Sequence, residues 1–282
     1  MATNNKRIAI QGEEGSYSAE AARQLFCTTN SLLYCDSLQD VFSALDLKEV
    51  DCAVLPVENT TAGNIQEVWD RLIGIIPGPP LAAHAEVRIR ITFVTAVLPE
   101  SNTVRQILAH PVAEAQCKNF LRKTGWQIIP CHDTAGAARM VREQQNPNLA
   151  ALCPPLAAET YALKVIAQNC GDSSRTWTRF FLLEPGDIKP EPTHNRTVLT
   201  FTLHDAPGAL AQSLQVFAQR GLNLCSIHSR AIPGNPGDYK FLTEVEAGAA
   251  NPKCIEAIEH LRNLGAQVRI IGSLNAPEWP ED

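Results

Sequence analysis

The chain has 282 residues, of which 45% are hydrophobic and 19% are charged, and its formal net charge is −6 at pH 7. This length predicts about two domains, and the composition is that of an ordinary globular protein. The negative charge, without any basic block, argues against a nucleic-acid partner. No apolar run reaches the roughly 18 residues that a membrane span requires, so we expect no membrane association.

The nine cysteines are odd in number, and none forms a Cys-x-x-Cys motif, which argues against a zinc site. They lie mostly in apolar segments, as Cys52, Cys153 and Cys225 do, where a thiol acts as a small hydrophobic group. The first residues lack an apolar segment long enough for a signal peptide. We therefore expect a protein of the reducing cytoplasm without a bound metal.

The first part of the chain alternates predicted strands with predicted helices. Residues 7–11 predict a strand, and the loop from Gly12 leads into a helix that Ser18 caps. A capping-box pattern at Ser37 predicts a second helix. Residues 86–97 alternate between apolar and polar side chains, which predicts one long strand and a candidate crossover between two lobes.

A polar cluster between a strand and a helix is the strongest candidate site. Apolar residues 53–55 predict a strand that ends at Pro56, and Glu58 and Asn59 follow directly, ahead of two threonines and Gly63. Open α/β sheets bind their ligands at such junctions. A helix start capped by one of the threonines is the simpler explanation. It does not account for the Glu–Asn pair, and we therefore favour a site.

Strand-to-helix junctions recur along the chain, and the later ones predict three helices. One carries Val112 to Phe120, with Pro111 suited to its first turn; one runs from an Asp133-Thr134 cap through Val141; and one runs from Pro155 to Ala167. The junctions lie near Ser18, Gly63, Pro111, Thr134 and Pro155. Helix N-termini attract anions. Five of them on two lobes would suit a small substrate that carries more than one carboxylate.

Residues 177–183 predict a strand that returns toward the first lobe and carries Arg179 among aromatic and aliphatic residues. Because an unpaired buried guanidinium is costly, Arg179 lies either at an exposed edge or in position for a bidentate carboxylate contact. Three prolines in residues 185–192 then predict a linker. Beyond the linker, residues 196–271 predict a βαββαβ order, which is that of a ferredoxin-like module.

Five motifs in this order resemble those of the prephenate dehydratase family, and the C-terminal module resembles an ACT domain, which is that family's phenylalanine sensor. The matching segments are Gly12 to Ser18, Leu55 to Gly63, His110-Pro111 with Gln116, Thr134 with Ala137-Ala138, and Thr178-Arg179-Phe180. The resemblance implies an α/β protein with a two-lobed, type 2 periplasmic-binding-protein-like catalytic domain followed by the ferredoxin-like ACT domain. The implied bounds are 1–188 for the catalytic domain (lobe one about 1–100 and 177–185, lobe two about 101–176) and 195–282 for the ACT regulatory domain.

The resemblance also implies an activity: the decarboxylating dehydration of prephenate to phenylpyruvate in phenylalanine biosynthesis, by a carbon–oxygen lyase that needs no cofactor. We expect Thr178 at the leaving hydroxyl, Glu58 as a proton source if burial raises its pKa, and Arg179 on the substrate's side-chain carboxylate. The remaining substrate-binding candidates are Asn59, Ser16, Gln116, Thr134 and Phe180. The effector-binding candidates are Gly208, Ala209, Leu210, Ser229 and Arg230.

We further expect the Glu58–Asn59 and Thr178–Arg179 pairs on opposite walls of one crevice, and a homodimer or homotetramer that binds a small-molecule substrate and an amino-acid effector. Several positions depart from the family pattern, namely Glu13, Ala109 and Pro154 near the substrate and His228 and Ala231 in the effector motif. Two other functions therefore remain open. One is an arogenate dehydratase, and the other is a non-catalytic small-molecule sensor.

Overall fold

The structure is a computed structural model that describes residues 6–26, 31–203, 206–234 and 239–279. Its strands are β1 (Arg7–Gln11), β2 (Ser31–Cys35), β3 (Cys52–Asn59), β4 (Gly63–Asn64), β5 (Leu81–Arg90), β6 (Val94–Val97), β7 (Gln106–Ala109), β8 (Gln127–Pro130), β9 (Leu149–Cys153), β10 (Lys164–Ala167), β11 (Trp177–Pro185), β12 (Arg196–Leu203), β13 (Leu224–Ala231), β14 (Tyr239–Val245) and β15 (Gln267–Leu274). Its helices are α1 (Tyr17–Leu25), α2 (Leu38–Asp46), α3 (Gln66–Leu72), α4 (Pro111–Gln116), α5 (Lys118–Thr124), α6 (Thr134–Gln144), α7 (Pro155–Thr160), α8 (Ala209–Ala218) and α9 (Pro252–Asn263). Within the described ranges, every helix is too short or too polar to cross a membrane.

The chain forms two compact units. Unit 1 comprises residues 1–64 and 88–180, and unit 2 comprises residues 65–87 and 181–282. Segment 65–87 thus belongs to the same unit as the C-terminal module, although the predicted catalytic domain includes it. The predicted functional bounds at 1–188 and 195–282 remain predictions.

In unit 1, strand β1 lies between β2 and β3 and runs parallel to both. Residues 8–10 and 52–55 are fully buried, and such uninterrupted apolar runs are typical of parallel strands with helices on both faces. Helix α2 begins at the predicted capping box of Ser37. Helix α1 is capped by Ser16 and not by Ser18, which is buried in its first turn.

Strand β3 does not end at Pro56, as predicted, but continues to Asn59. Its ladder with β1 covers only residues 52–54, so the missing N–H of Pro56 lies beyond that ladder and removes no hydrogen bond from it. Glu58 is therefore part of the strand. The helix that follows has Ile65 as its N-cap, without a side-chain cap, so the expected threonine cap is wrong.

A second sheet in unit 1 has the strand order β10-β6-β9-β7-β8. The single long strand predicted over residues 86–97 is wrong, because β5 ends at Arg90 and only β6, which begins at Val94, belongs to this second sheet. The predicted crossover thus consists of three residues between two strands. Small buried side chains of β9 and α6, such as Ala151 and Ala138, fill the core beneath this sheet.

Two predicted helices of this region are shorter than expected. The helix that starts at Pro155 ends at Thr160, because Ala162 adopts a left-handed φ of 50°, and residues 164–167 instead pair with β6 as strand β10. The helix predicted through Phe120 is interrupted near Cys117 and forms α4 and α5. Pro111 does occupy the first turn of α4, as predicted.

Unit 2 contains the predicted βαββαβ module. Strand β12 pairs antiparallel with β14 and β15, and β14 pairs antiparallel with β13, which gives the order β13-β14-β12-β15 of a ferredoxin-like fold. Helices α8 and α9 cover an apolar core that contains Phe201, Phe217 and Leu261. The α/β fold class with a ferredoxin-like C-terminal module is confirmed. His204, predicted to end the first strand of the module, lies outside the described residues.

Three basic side chains on strands of the module contact α3. Arg230 of β13 contacts both carboxylate oxygens of Asp70, at 2.8 and 2.6 Å. Lys240 of β14 donates to the carbonyl of Ile73 at 2.8 Å, and Arg269 of β15 donates to that of Leu72 at 3.3 Å. The two carbonyls belong to the C-terminal end of α3, where a helix dipole favours positive charge.

Candidate active site

The candidate site is built on a tight hairpin between β3 and β4, in which Asn59 pairs with Gly63. The Oδ1 atom of Asn59 accepts hydrogen bonds from the backbone N–H groups of Thr61 and Ala62, at 3.0 and 2.9 Å. Gly63 has a φ of 84°, which an L side chain rarely adopts. The turn thus fixes the Asn59 amide so that its Nδ2 atom points away from the hairpin.

Nδ2 of Asn59 donates to Oγ1 of Thr178 at 2.9 Å, across 119 residues of sequence. Thr178 lies on β11, which is the neighbour of β3 in the sheet, and it is 7% exposed. Because the Thr178 oxygen accepts from the amide, its own hydroxyl proton remains available for donation to another group. The structure therefore brings the predicted Asn59 and Thr178 into direct contact.

The other two residues of these motifs also contact each other. Nη1 of Arg179 lies 2.8 Å from Oε2 of Glu58, and the two side chains are 7% and 34% exposed. The guanidinium that was expected on a substrate carboxylate thus has a carboxylate partner in the protein. The predicted burial of Arg179 is confirmed, and the alternative of an exposed edge position is wrong.

The two contacts lie on opposite faces of the sheet. Thr60 N–H donates to the carbonyl of Trp177 at 2.9 Å, and this register places Asn59 opposite Thr178 and Glu58 opposite Arg179. Successive side chains of a strand point to opposite faces. We expected Glu58–Asn59 and Thr178–Arg179 on opposite walls of a crevice. That expectation is wrong in its geometry, because the two segments lie on neighbouring strands of one sheet.

The loop after β1 carries the predicted Ser16. Ser16 caps α1 by accepting from the N–H of Ala19 at 3.3 Å. A Cβ atom at Gly12, whose φ is 103°, would lie only 3.2 Å from Oδ2 of Asp133 and 3.3 Å from Oγ of Ser16. Glycine at this position therefore lets the loop approach the start of α6.

Asp133 is a partly buried titratable group that the sequence did not single out as a site residue. Its Oδ1 atom accepts from the N–H groups of Ala135 and Gly136, at 2.7 and 2.8 Å, so it caps α6 as predicted. Burial raises the pKa of the Asp133 carboxyl despite these two hydrogen bonds. The predicted Thr134 follows it directly as the first residue of α6.

Glu13, which departs from the family pattern, has its own partner. It makes a bidentate contact with Arg139 of α6, at 2.5 and 2.9 Å, so the β1 loop is tied to α6 by charge-assisted hydrogen bonds. The two residues are 126 positions apart. The only sequence signal for this contact was the unusual glutamate itself.

Gln116 and Phe180 have less distinctive surroundings. Gln116 ends α4, and its backbone carbonyl accepts from the N–H of Asp172 at 2.7 Å. Phe180 is 2% exposed and belongs to the core, which favours a packing role. For both residues, contact with a substrate remains a prediction.

His110 caps α4, because its Nδ1 atom accepts from the N–H of Val112 at 3.2 Å. The imidazole is therefore neutral with its proton on Nε2, and burial lowers the pKa of His110. Ala109, which stands where the family has a serine, is fully buried. The serine's hydroxyl is thus absent beside His110.

The effector candidates lie in unit 2. Gly208 has a φ of 83° and is the N-cap of α8, followed by Ala209 and Leu210 in the first turn. Ser229 is exposed on β13. Arg230 is the exception, since it contacts Asp70 within the protein.

The fold and the site define an α/β protein whose two site motifs meet on neighbouring strands, ahead of a ferredoxin-like module. A family model described as "Prephenate dehydratase" matches residues 8–187. The chain belongs to the prephenate dehydratase family.

Relatives that are similar over nearly the whole of this chain agree with this assignment. The chain is 33% identical to "Arogenate dehydratase/prephenate dehydratase 1, chloroplastic" of Arabidopsis thaliana, over 94% of this chain and 71% of that protein. It is 32% identical to "Prephenate dehydratase" of Amycolatopsis methanolica, over 95% and 88% of the two chains.

Two solved structures are similar over nearly the whole chain. One is prephenate dehydratase in complex with L-Phe from Arthrobacter aurescens, with a TM-score of 0.84, 28% identity and coverage of 96% and 90%. The other is described as "GqqA- a novel type of quorum quenching acylases", with a TM-score of 0.85, 30% identity and coverage of 96% and 98%.

Proposed function

We propose that this chain is a prephenate dehydratase, a carbon–oxygen lyase that converts prephenate to phenylpyruvate in L-phenylalanine biosynthesis. The observation that carries the proposal is the hydrogen bond from Asn59 to the buried Thr178, formed by two motifs far apart in the sequence. It presents a hydroxyl whose oxygen is already occupied as an acceptor and whose proton is free to be donated.

The reaction needs little covalent assistance from the protein. The C–CO₂⁻ bond of the ring carboxylate breaks, its electron pair enters the ring, and the ring C–O bond breaks, so that CO₂ and hydroxide leave an aromatic product. One proton, which solvent water supplies, converts the departing hydroxide to water. A hydrogen bond that strengthens as negative charge develops on the leaving oxygen accelerates this step.

Thr178 supplies that hydrogen bond in the proposed mechanism. Its hydroxyl is held in place by Asn59, and it donates to the departing oxygen without becoming fully ionised. Ser16 and Thr134, at the N-termini of α1 and α6, orient the substrate. Their helix ends favour its carboxylates.

Glu58 and Arg179 have a supporting role in this proposal. Their ion pair lies on the other face of the two strands from Thr178, and each charge satisfies the other. We therefore assign the pair to holding β3 and β11 in register. Proton supply by Glu58 and carboxylate binding by Arg179 would both require the pair to separate.

The direct test is the conversion of prephenate by the purified full chain, followed by phenylpyruvate absorbance at alkaline pH. We expect turnover without any added metal or organic cofactor. Tight binding of prephenate without product would favour a non-catalytic sensor. Absence of both binding and product would overturn the proposal.

Arogenate is the second candidate substrate, because relatives whose names include arogenate dehydratase are as similar to this chain as those named only for prephenate. The two acids differ only in the side chain, where an amino group replaces a keto group. A parallel assay with both acids at equal concentration decides between them by the ratio of kcat/KM values. Phenylalanine would be the product from arogenate.

Amide hydrolysis is a third candidate, raised by the similar structure described as an acylase. A threonine nucleophile requires a base that removes its proton. The partner of Thr178 is the Asn59 amide, which donates instead of accepting. This geometry favours dehydration over acyl transfer at Thr178.

We also propose that the βαββαβ module is an ACT regulatory domain that binds an amino-acid effector and that the chain forms a homodimer or homotetramer. The observed strand order supports the first proposal. The engagement of Arg230 by Asp70 means that an effector carboxylate at Arg230 would compete with Asp70. Light scattering measures the oligomeric state directly.

A further inference from the structure

Unit 1 contains a pocket of about 440 Å³, here called the cavity, that opens to the surface and that none of the predicted site residues lines. Its charged residues Arg23, Arg90 and Glu159 are exposed at its rim. Its walls come from α1, from the chain at Arg90 and Thr92, and from the first turns of α7. Sites for small molecules commonly have volumes of about 300–1,000 Å³. The cavity is therefore large enough for a ligand of a dozen heavy atoms.

The charges that line the cavity are balanced. Glu20 and Glu159 contribute two carboxylates, and Arg23 and Arg90 contribute two guanidinium groups. Within the described part of the chain, these four side chains form no ion pair with one another. Arg23 has one distant carboxylate contact, at 3.9 Å to Glu14.

Glu20 is the most enclosed of the four charged groups. Its side chain is partly buried, and no described residue donates a hydrogen bond to its carboxylate. Burial raises the pKa of Glu20, and nearby Arg23 only partly offsets this effect. A cationic group that entered the cavity would therefore gain a poorly satisfied anionic partner.

The part of the lining at Arg90 and Thr92 is held in position by hydrogen bonds that leave donors of Arg90 available. Nε of Arg90 donates to the carbonyl of Ser174 at 3.0 Å, and neither Nη atom of Arg90 is hydrogen-bonded to a described residue. The hydroxyl of Tyr17 donates to the carbonyl of Thr92 at 2.5 Å. A planar guanidinium fixed in this way is suited to a carboxylate ligand.

We propose that this cavity binds a free α-amino acid with an apolar side chain. The α-carboxylate contacts Arg90 and Arg23, and the α-ammonium group contacts Glu20 and Glu159. The side chain packs against Leu156 and Pro155, the apolar part of the lining. A ligand with only one of the two charged groups leaves either the carboxylates or the guanidiniums of the cavity without a partner.

Isothermal titration calorimetry of the full chain tests the proposal with L-leucine and L-phenylalanine as probes. The matched controls are 4-methylpentanoate, which lacks the ammonium group of leucine, and isoamylamine, which lacks its carboxylate. In the Arg230→Gln background, which removes the effector contact of the C-terminal module, we expect one of the amino acids to bind one site per chain and both fragments to bind that site at least tenfold more weakly. Equal binding of a fragment, or no binding of either amino acid, would overturn the proposal.

Variants locate the binding to the cavity. Arg90→Gln and Glu20→Gln should each weaken amino-acid binding at least tenfold, whereas Arg122→Gln, at an exposed position on α5, should not. Arg230→Gln separates this site from the C-terminal module and should leave cavity binding unchanged. Loss of binding in Arg230→Gln together with retention in Arg90→Gln would contradict the assignment.

Activity and folding controls keep the result independent of the proposed reaction. Prephenate turnover and the melting temperature of Arg90→Gln and Glu20→Gln should stay close to those of the unaltered chain, because neither residue contacts the Asn59–Thr178 pair. The titrations remain informative if the chain does not turn over prephenate, since binding heat is measured directly. If Arg90→Gln has a lowered melting temperature, Arg90→Lys replaces it. Lysine retains the positive charge but lacks the planar guanidinium that binds a carboxylate with two hydrogen bonds, and this variant should also bind the amino acid more weakly.

Discussion

Two pairs of side chains occupy consecutive positions on β3 and β11, and they differ in charge, burial and face. The Asn59–Thr178 pair is neutral and leaves a hydroxyl proton available. The Glu58–Arg179 pair is charged, and each member satisfies the other. Neighbouring motif residues can therefore have different tasks, because strand alternation directs them to opposite faces. We assign chemistry to the neutral pair and strand positioning to the charged pair.

The largest effect is expected at Thr178. Thr178→Val keeps the shape of the side chain but removes the hydroxyl, and kcat should fall by about 10²–10³ because one transition-state donor is lost. Thr178→Ser restores the hydroxyl and should retain turnover within about tenfold. The KM for prephenate should change little in both. Equal kcat values for the valine and serine variants would remove the hydroxyl from the mechanism.

Asn59→Asp is a sharper change to the same pair. It keeps the Oδ1 acceptor for Thr61 and Ala62 but replaces the Nδ2 donor by a second oxygen. That oxygen would accept the hydrogen bond that the Thr178 hydroxyl otherwise donates to the substrate. We expect kcat to fall by about 10–100-fold, the equivalent of one hydrogen bond of about 1–3 kcal/mol. The melting temperature serves as the control and should stay nearly constant. Unaltered turnover would mean that the direction of this hydrogen bond is irrelevant.

The charged pair should show the reverse pattern, with stability affected more than chemistry. Arg179→Met leaves Glu58 without its partner and should lower the free energy of unfolding by about 1–3 kcal/mol. This loss is smaller than that for breaking a fully buried ion pair, because Glu58 is partly exposed to solvent. Chemical denaturation measures this loss. In the folded variant, kcat should fall less than in Thr178→Val. A kcat loss as large as that of Thr178→Val, with stability unaltered, would show that Arg179 acts directly on the substrate.

The Asp70–Arg230 pair in unit 2 provides a comparison with another charged contact. Asp70→Asn should destabilise the protein by about 1–2 kcal/mol, since one charged partner of a bidentate contact is lost. The exposed Glu67→Gln on the same helix is the matched control and should change stability by less than about 0.5 kcal/mol. Equal melting temperatures for the two variants would indicate that the contact contributes nothing.

The smallest effect is expected at His110. Its folded-state pKa is lowered by burial, so the unfolded state takes up a proton first as the pH falls. Stability should therefore decline as the pH falls below the unfolded value of about 6.5. His110→Gln keeps a polar side chain and should remove that part of the decline. Denaturation midpoints at pH 7.5 and pH 5.5 check this, and an identical decline in the variant would contradict it.

The sequence was most informative where local rules decide the structure. The capping box at Ser37, Pro111 in the first turn of α4 and the βαββαβ order are confirmed. Strand β3 continues through Pro56 because its ladder with β1 has already ended there, while its pairing with β11 and β4 extends it to Asn59. The extent of strand pairing depends on other segments of the chain, and it cannot be predicted from residues 52–59 alone.

Contacts across long sequence separations were not predictable. Glu13 and Arg139, and Asp70 and Arg230, are 126 and 160 residues apart, and no local pattern links them. The burial of Arg179 was predicted correctly, but the identity of its partner was not. A buried guanidinium can pair with a carboxylate of the protein as readily as with one of the substrate. The motifs indicated which residues meet, and only the strand register showed which faces they occupy.

A double-mutant cycle on kcat for prephenate, with Asn59→Ala, Thr178→Val and the double variant, tests the division of tasks most directly. If the amide acts only by holding the Thr178 hydroxyl, the double variant should be no slower than Thr178→Val alone. Independent effects that multiply in the double variant would show that the two side chains do not act as one unit, and an active Thr178→Val enzyme would refute the assignment of chemistry to this face of the sheet.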